Sequence, residues 1–311
     1  MAFYLITGGA GFIGSNIVEE LLRRGQRVRV LDNFSTGRRE NLRPFSGRIE
    51  LLEGDIRDPK DARKAVAGVD YILHQAALPS VARSVEDPIA SNETNVSGML
   101  NLLTCAKEAA VKRFVFASSS SVYGDTPTLP KVETMPLNPT SPYAVSKLAG
   151  EHYCRIFHRI YGLETVCLRY FNIFGPRQNP DSQYSAVIPL FIKSMLASES
   201  PTIFGDGLQS RDFTFIANVV NANLLAAQAP QAAGGAFNIA CGGRYSLLDL
   251  VGILNSILGG AIAPRHREAR NADVKHSQAD IAAAGRFLGY APTVRFEEGL
   301  RRTVDWYKMN R

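Results

Sequence analysis

Thr7-Gly8-Gly9-Ala10-Gly11-Phe12-Ile13-Gly14 decides how this 311-residue chain is read. A short apolar run, 3–6, precedes it, and an amphipathic stretch, 13–24, follows. That order is a strand, a tight turn and a helix. The glycines at 8, 11 and 14 allow a sharp turn, a close backbone approach and tight packing of helix on strand. They leave the helix N-terminus, with its free N–H groups and positive dipole end, facing whatever binds there. A pyrophosphate fits, and the strand–turn–helix setting gives the glycine pattern its weight.

Working outward, further apolar runs at 28–31, 49–52, 71–73, 114–117 and 166–170 read as buried strands. Helical patterns at 59–67, 92–110 and 142–161 alternate with them. Such alternation predicts an α/β fold, a doubly wound parallel sheet of the Rossmann kind. After about residue 175 prolines 176, 180, 189 and 201 punctuate the chain, and helical patterns return at 217–229, 246–258 and 296–307. The expected division is a dinucleotide-binding domain over 1–175, with later strands contributed by the C-terminal half, and a smaller α/β substrate-binding lobe over 176–311.

Composition narrows the partners. Lys and Arg total 35 against 29 Asp and Glu, a net charge of +6. The basic residues are scattered, so no nucleic-acid partner is expected, and a modest positive field suits a small anionic substrate. No apolar run of membrane-spanning length occurs, so no membrane span is expected. Nor is a signal peptide expected, because the chain enters a strand at once. Cys105, Cys154, Cys167 and Cys241 lie far apart without a CxxC pair, which reads as reduced filler in a cytoplasmic protein. No metal site is expected.

Eighteen residues after Gly14, Asp32 ends the second strand. A carboxylate there accepts hydrogen bonds from ribose hydroxyls and repels a 2′-phosphate, which favours NAD over NADP. Arg38 and Arg39 argue the other way by proximity alone. Asp55 and Ile56, after the third strand, are candidates for contact with adenine.

Tyr143 and Lys147 stand four residues apart in Ser141-Pro142-Tyr143-Ala144-Val145-Ser146-Lys147. On a helix they share a face. A phenol near its ordinary pKa of about 10 is a poor base at neutral pH. An ammonium beside it is expected to lower that value, making Tyr143 a candidate base. The run Ser118-Ser119-Ser120-Ser121 follows the strand at 114–117 and supplies a hydroxyl at its carboxyl end.

With these motifs in place, the chain resembles the extended short-chain dehydrogenase/reductases, and among them the UDP-hexose 4-epimerases. The likeness runs from TGGAGFIG at residue 7 to LGYAP at 288–292, and is strongest toward bacterial UDP-N-acetylglucosamine 4-epimerases through HQAALPSVARS (74–84), SPYAVSK (141–147), LRYFNIFGPRQNP (168–180) and SRDF (210–213). The resemblance implies Ser119 as the catalytic hydroxyl, Tyr143 as base, and Lys147 as holder of the nicotinamide ribose. On the cofactor side it implies Gly8, Gly11, Phe12, Ile13, Gly14, Asp32, Asn33, Ser35, Gly37, Asp55, Ile56, Gln75, Ala76, Ala77, Asn95 and Tyr170, with Tyr143 and Lys147. On the substrate side it implies Ser80, Ser119, Ser120, Tyr143, Asn172, Val187, Arg211, Arg270 and Ser277. Ser277 gates the space around the sugar C2 substituent, since a bulky aromatic there would crowd an N-acetyl group.

The implied activity is C4 epimerisation of a UDP-hexose through a 4-keto sugar, with UDP-GlcNAc and UDP-glucose as substrates. A homodimer is implied, through a four-helix bundle of the stretches 92–110 and 142–161. Ser120 and Ser121 stand where related dehydratases carry Asp-Glu, which argues against dehydration. A UDP-glucuronate 4-epimerase or decarboxylase is the alternative enzyme; a non-enzymatic NAD sensor is the alternative of another class.

Overall fold

The computed structural model describes residues 1–181, 186–268 and 275–310. Along the chain the first elements are β1 (Phe3–Thr7), α1 (Phe12–Arg23), β2 (Arg27–Asp32), β3 (Glu50–Glu53), α2 (Pro59–Val66), β4 (Tyr71–His74), α3 (Val81–Glu86), α4 (Pro88–Asn92) and α5 (Gly98–Glu108). There follow β5 (Arg113–Ser119), α6 (Pro142–Tyr161), β6 (Thr165–Tyr170), β7 (Ile173–Phe174), α7 (Val187–Leu196), β8 (Thr202–Phe204), β9 (Ser210–Arg211) and β10 (Thr214–Phe215). The last are α8 (Ile216–Gln228), β11 (Ala236–Ile239), β12 (Tyr245–Ser246), α9 (Leu247–Leu258), β13 (Arg265–Arg267), α10 (Ala282–Leu288) and α11 (Phe296–Met309).

Seven strands form one parallel sheet in the order β11-β6-β5-β4-β1-β2-β3. Its central strands are apolar on both faces, as a sheet covered twice requires: β1 and β6 are buried along their whole length. One core lies between the sheet and α1, α8 and the C-terminal helices, taking in Tyr4 and Tyr307. The other lies under α2, α5 and α6. The first core runs through both halves and β11 closes the sheet edge, so the residues after 175 share a core with those before it.

Chain direction across the sheet reverses at β1, which pairs β2 on one side and β4 on the other. A crevice opens beyond the carboxyl ends of strands at such a switch point. The glycine turn follows β1 there, and Gln75-Ala76-Ala77 follows β4.

The expected helix over 92–110 is divided. A π turn, Glu93–Ser97, separates α4 from α5. Single π turns in helices recur at functional sites. This one sets the Asn95 side chain inward, where Oδ1 accepts from Leu78 N at 2.8 Å and Nδ2 donates to Ser146 Oγ at 3.1 Å.

Candidate active site

The glycine turn is built for contact with a ligand. Gly8 has φ +67°, and a Cβ there would stand 2.7 Å from Ala76 N. A Cβ on Gly14 would lie 2.7 Å from Gly9 Cα, so only glycine lets α1 start so close to β1. Helix α1 opens at Gly11 with no side-chain cap. Its first N–H groups face a cleft of about 740 Å3.

Nearly all the expected cofactor residues line that cleft: Gly8, Gly11, Phe12, Ile13, Gly14, Asp32, Asn33, Ser35, Gly37, Asp55, Ile56, Gln75, Ala76, Ala77 and Tyr170. Asp32 is buried. Its Oδ2 accepts from Ala10 N at 2.9 Å and its Oδ1 from Phe34 N at 2.8 Å. Burial lifts its pKa while those two N–H groups pull it down. Asp32 therefore ties the glycine turn to the loop after β2, and each oxygen keeps a second lone pair for a ribose hydroxyl. Arg39 ion-pairs with Glu53 at 2.6 Å and stacks 3.9 Å from the Phe34 ring centroid, so its charge is already engaged. Asp55 is held by Arg57 and by Asn33 Nδ2 at 2.8 Å, and Arg57 first among these lowers it to about 2.

The floor is a closed ring of three side chains. Tyr170 donates to Gln75 Oε1 at 3.2 Å, Gln75 donates to Asn223 Oδ1 at 3.0 Å, and Asn223 donates back to the Tyr170 oxygen at 2.8 Å. Asn95 does not line the cleft. Consumed by Leu78 and Ser146, it braces the loop after β4 instead of facing a ligand.

Helix α6 carries the candidate catalytic side chains. Ser141 caps it through Ala144 N at 3.1 Å, and Pro142 is its first residue, so Tyr143 is held in the first turn. Tyr143 and Ser119 both line the cleft. Of the serine run, Ser118 and Ser119 border it, and Ser118 gives its hydroxyl to Glu151, which leaves Ser119 as the hydroxyl beside Tyr143. Ser120 and Ser121 turn away into a 3-10 turn, where Ser121 N donates to Ser119 Oγ at 3.2 Å.

One electrostatic expectation needs correction. Burial raises the Tyr143 pKa above its ordinary value, and Ser119 pulls the other way. The Lys147 ammonium sits 5.7 Å from the Tyr143 ring centroid and donates to the Ala117 carbonyl at 2.7 Å. Burial brings Lys147 itself down to about 8. The lysine is thus anchored on β5, and proximity on a helix face alone does not acidify the phenol. Beneath it lies His74, 1% exposed, bonded through Nδ1 to Thr7 Oγ1 at 2.7 Å and held neutral, about 3, by burial and then by Lys147.

A second cavity, about 270 Å3, joins the cleft, and Asn172, Ile173 and Ala186 belong to both. Val187 and Arg211 line it, as expected. Ser80 lines the main cleft. Ser277 lines neither cavity directly; it stands behind Asn172, whose Nδ2 donates to Ser277 Oγ at 3.2 Å. Arg270 lies outside the described residues. Next to Arg211 in the chain, Asp212 is fully buried, and its carboxylate accepts from Cys241 N and Gly242 N at 3.0 Å and Ala279 N at 3.2 Å. Burial raises Asp212 to about 6 against those donors.

Sequence reasoning passed over Arg177, which also lines the cleft. One face of its guanidinium meets Glu19 at 2.6 Å, and its buried NH1 has no hydrogen-bond partner among the described residues. The orphaned donor and the glycine cradle together fit a dinucleotide diphosphate. The sequence signal for it is GPRQNP at 175–180.

A dinucleotide cradle that opens onto a tyrosine and a serine from two other elements, with Lys147 buried one turn behind the tyrosine and outside the cleft lining, defines the class: a nicotinamide-dependent, doubly wound α/β enzyme. The chain belongs to the NAD dependent epimerase/dehydratase family, whose model matches residues 4–240, and NAD is its cofactor. Among curated proteins it is 39% identical to a putative UDP-glucose 4-epimerase of Methanocaldococcus jannaschii, over 98% of each chain. Among solved structures it is similar to a UDP-N-acetylglucosamine 4-epimerase from Methanobrevibacter ruminantium in complex with UDP-N-acetylmuramic acid, with TM-score 0.95 and 40% identity over 100% of this chain and 99% of that one. It is also similar to the Thermotoga maritima UDP-glucose 4-epimerase with UDP-glucose, with TM-score 0.94 and 37% identity over 99% of each.

Proposed function

We propose that the chain is a UDP-hexose 4-epimerase acting on UDP-GlcNAc/UDP-GalNAc and UDP-glucose/UDP-galactose. One observation carries this reading: the cofactor cleft, with Ser119 and Tyr143, runs into the Arg211 cavity through Asn172, Ile173 and Ala186. A nucleotide diphosphate anchored by Arg211 in the second cavity extends its sugar into the first, because a guanidinium fork pairs two phosphate oxygens.

The glycine turn and Arg177 hold the dinucleotide phosphates, Asp32 the adenosine ribose, and Lys147 the nicotinamide ribose. Oxidised NAD, when bound in this cleft, would supply the hydride acceptor and a positive charge that favours the phenolate of Tyr143. Tyr143 takes the O4 proton, directly or through Ser119. Holding the substrate by its UDP end would leave the 4-keto sugar free to turn and present its other face, where Tyr143 would give the proton back to O4.

Incubation with UDP-GlcNAc or UDP-glucose, without added reductant, tests this by NMR of the C4 epimer; no epimer from either overturns it. Ser277→Tyr should lower turnover of UDP-GlcNAc far more than of UDP-glucose, because Asn172 brings that position to the edge of the cleft. Equal losses would remove Ser277 as a gate.

Arg83 favours a second reading. This half-buried cation lines the cleft on α3 close to Ser80, and it is able to meet a carboxylate on an acidic sugar. Assay of UDP-glucuronate beside UDP-GlcNAc separates the two, and carbon dioxide release marks a decarboxylase.

The active form is a homodimer in this proposal. Exposed apolar side chains run along α6 at Val145, Tyr153, Ile156 and Ile160, and continue onto α3 and α4 at Val81, Val85 and Ile89. The stretch 92–110 presents no exposed large hydrophobic residue. The seam therefore centres on α6 with 81–89. A contiguous apolar surface of this kind marks an interface. Tyr153→Arg with Ile156→Arg should convert a species of two chains to one in sedimentation analysis.

A further inference from the structure

The face of α6 that bears Tyr143 and Lys147 continues one turn on to Glu151. These three side chains, four residues apart, meet three consecutive residues at the carboxyl end of β5. Tyr143 reaches Ser119, Lys147 Nζ donates to the Ala117 carbonyl at 2.7 Å, and Glu151 Oε1 accepts the Ser118 hydroxyl. Ser118 and Glu151 are 2% and 3% exposed, so water offers neither a substitute partner.

Glu151 is itself clamped. Arg169 on β6 donates to its two oxygens from Nε at 2.9 Å and NH2 at 2.7 Å. A bidentate pair fixes orientation as well as position. On its far side Arg169 donates to the Tyr123 oxygen at 2.8 Å, and Tyr123 donates to Asn238 Oδ1 at 2.7 Å. The clamp thus spans β5, α6, β6 and β11. Neighbouring residues of a strand point to opposite faces. Ser118 follows Phe114 and Phe116 toward α6, and holding it sets the direction in which Ser119 leaves the strand.

We propose that Glu151 is a positioning residue for the proton transfer: through Ser118 it fixes the strand end from which Ser119 meets Tyr143. The proposal rests on the epimerase reading above, but adds a residue that touches neither substrate nor cofactor.

Ser118→Ala tests it, because this change releases the strand end while the Glu151–Arg169 pair stays intact. With UDP-GlcNAc and UDP-glucose, kcat should fall roughly ten- to a hundredfold, as small misplacements at a reacting centre do. KM and thermal midpoint should stay near those of the unmodified enzyme. Ser118→Cys, with a weak donor of similar size, should recover part of the loss. An unchanged kcat in Ser118→Ala overturns the proposal. So does a loss shared by kcat, KM and thermal midpoint, or a cysteine variant no better than the alanine one, since each reports packing alone. If the unmodified enzyme epimerises no UDP-hexose, the functional reading falls by itself. A crystal structure of Ser118→Ala then decides: Ser119 Oγ displaced from Tyr143 supports the proposal, and Ser119 in place overturns it.

Discussion

Tyr143→Phe should lower kcat for UDP-hexose epimerisation by roughly 10²–10⁴-fold, the usual contribution of a positioned base. The substitution removes one oxygen. The ring still fills its place on α6, Ser141 still caps the helix, and Lys147 keeps its bond to Ala117. Bound NAD, measured by chromatography after heat release, should be retained, because the glycine turn, Asp32 and Arg177 are untouched. KM should move little, because the substrate anchor proposed above is the Arg211 cavity and not Tyr143. Full activity in the Tyr143→Phe enzyme would show that another group takes the O4 proton.

The second large effect is on stability. Arg169→Leu should cost about 3–5 kcal/mol, because it leaves the Glu151 carboxylate buried without its cation. Both partners have side chains only 2% exposed, so solvent cannot compensate. For a chain of this size the thermal midpoint should drop by roughly 10 °C. Adding Glu151→Leu should restore much of that, since an apolar pair of similar volume avoids the desolvation cost of both charges. It should not restore kcat, because Ser118 has then lost its acceptor. Calorimetry of the single and double variants, read beside turnover, checks both statements. A single variant as stable as the parent would mean that the pair contributes nothing net.

Helix α6 was legible to the residue, Pro142–Tyr161, because its start carries a serine cap and a first-turn proline and its end a left-handed Gly162. The six strands from β1 to β6 were legible as short apolar runs, since a parallel sheet covered on both faces buries its central strands, while the edge strand β3 is largely exposed. Less was legible after residue 175. Pro189 reads as a breaker, yet it sits in the first turn of α7, where a missing N–H costs nothing. Helices α3 and α4 span six and five residues, too few to show a period. Strand β11 is four residues with an asparagine in it, and it exists through pairing with β6. Asn238 looks polar for a core position, but it is the acceptor for Tyr123 at the end of the Arg169 chain.

By itself, the sequence determined the class of fold, the cofactor cradle and the pairing of Tyr143 with Lys147 on one helix. All three depend on contacts between residues close in the chain, where glycine, capping and period act directly. Only the tertiary structure decided that Ser119 is the hydroxyl beside Tyr143, that Asn95 braces a loop, that Arg177 presents a donor with no partner among the described residues, and that Lys147 binds a carbonyl and not the phenol. Each of those depends on burial and on partners far away in the chain. Desolvation and long-range hydrogen bonding arise when the sheet and helices close over one another, and no local pattern encodes them.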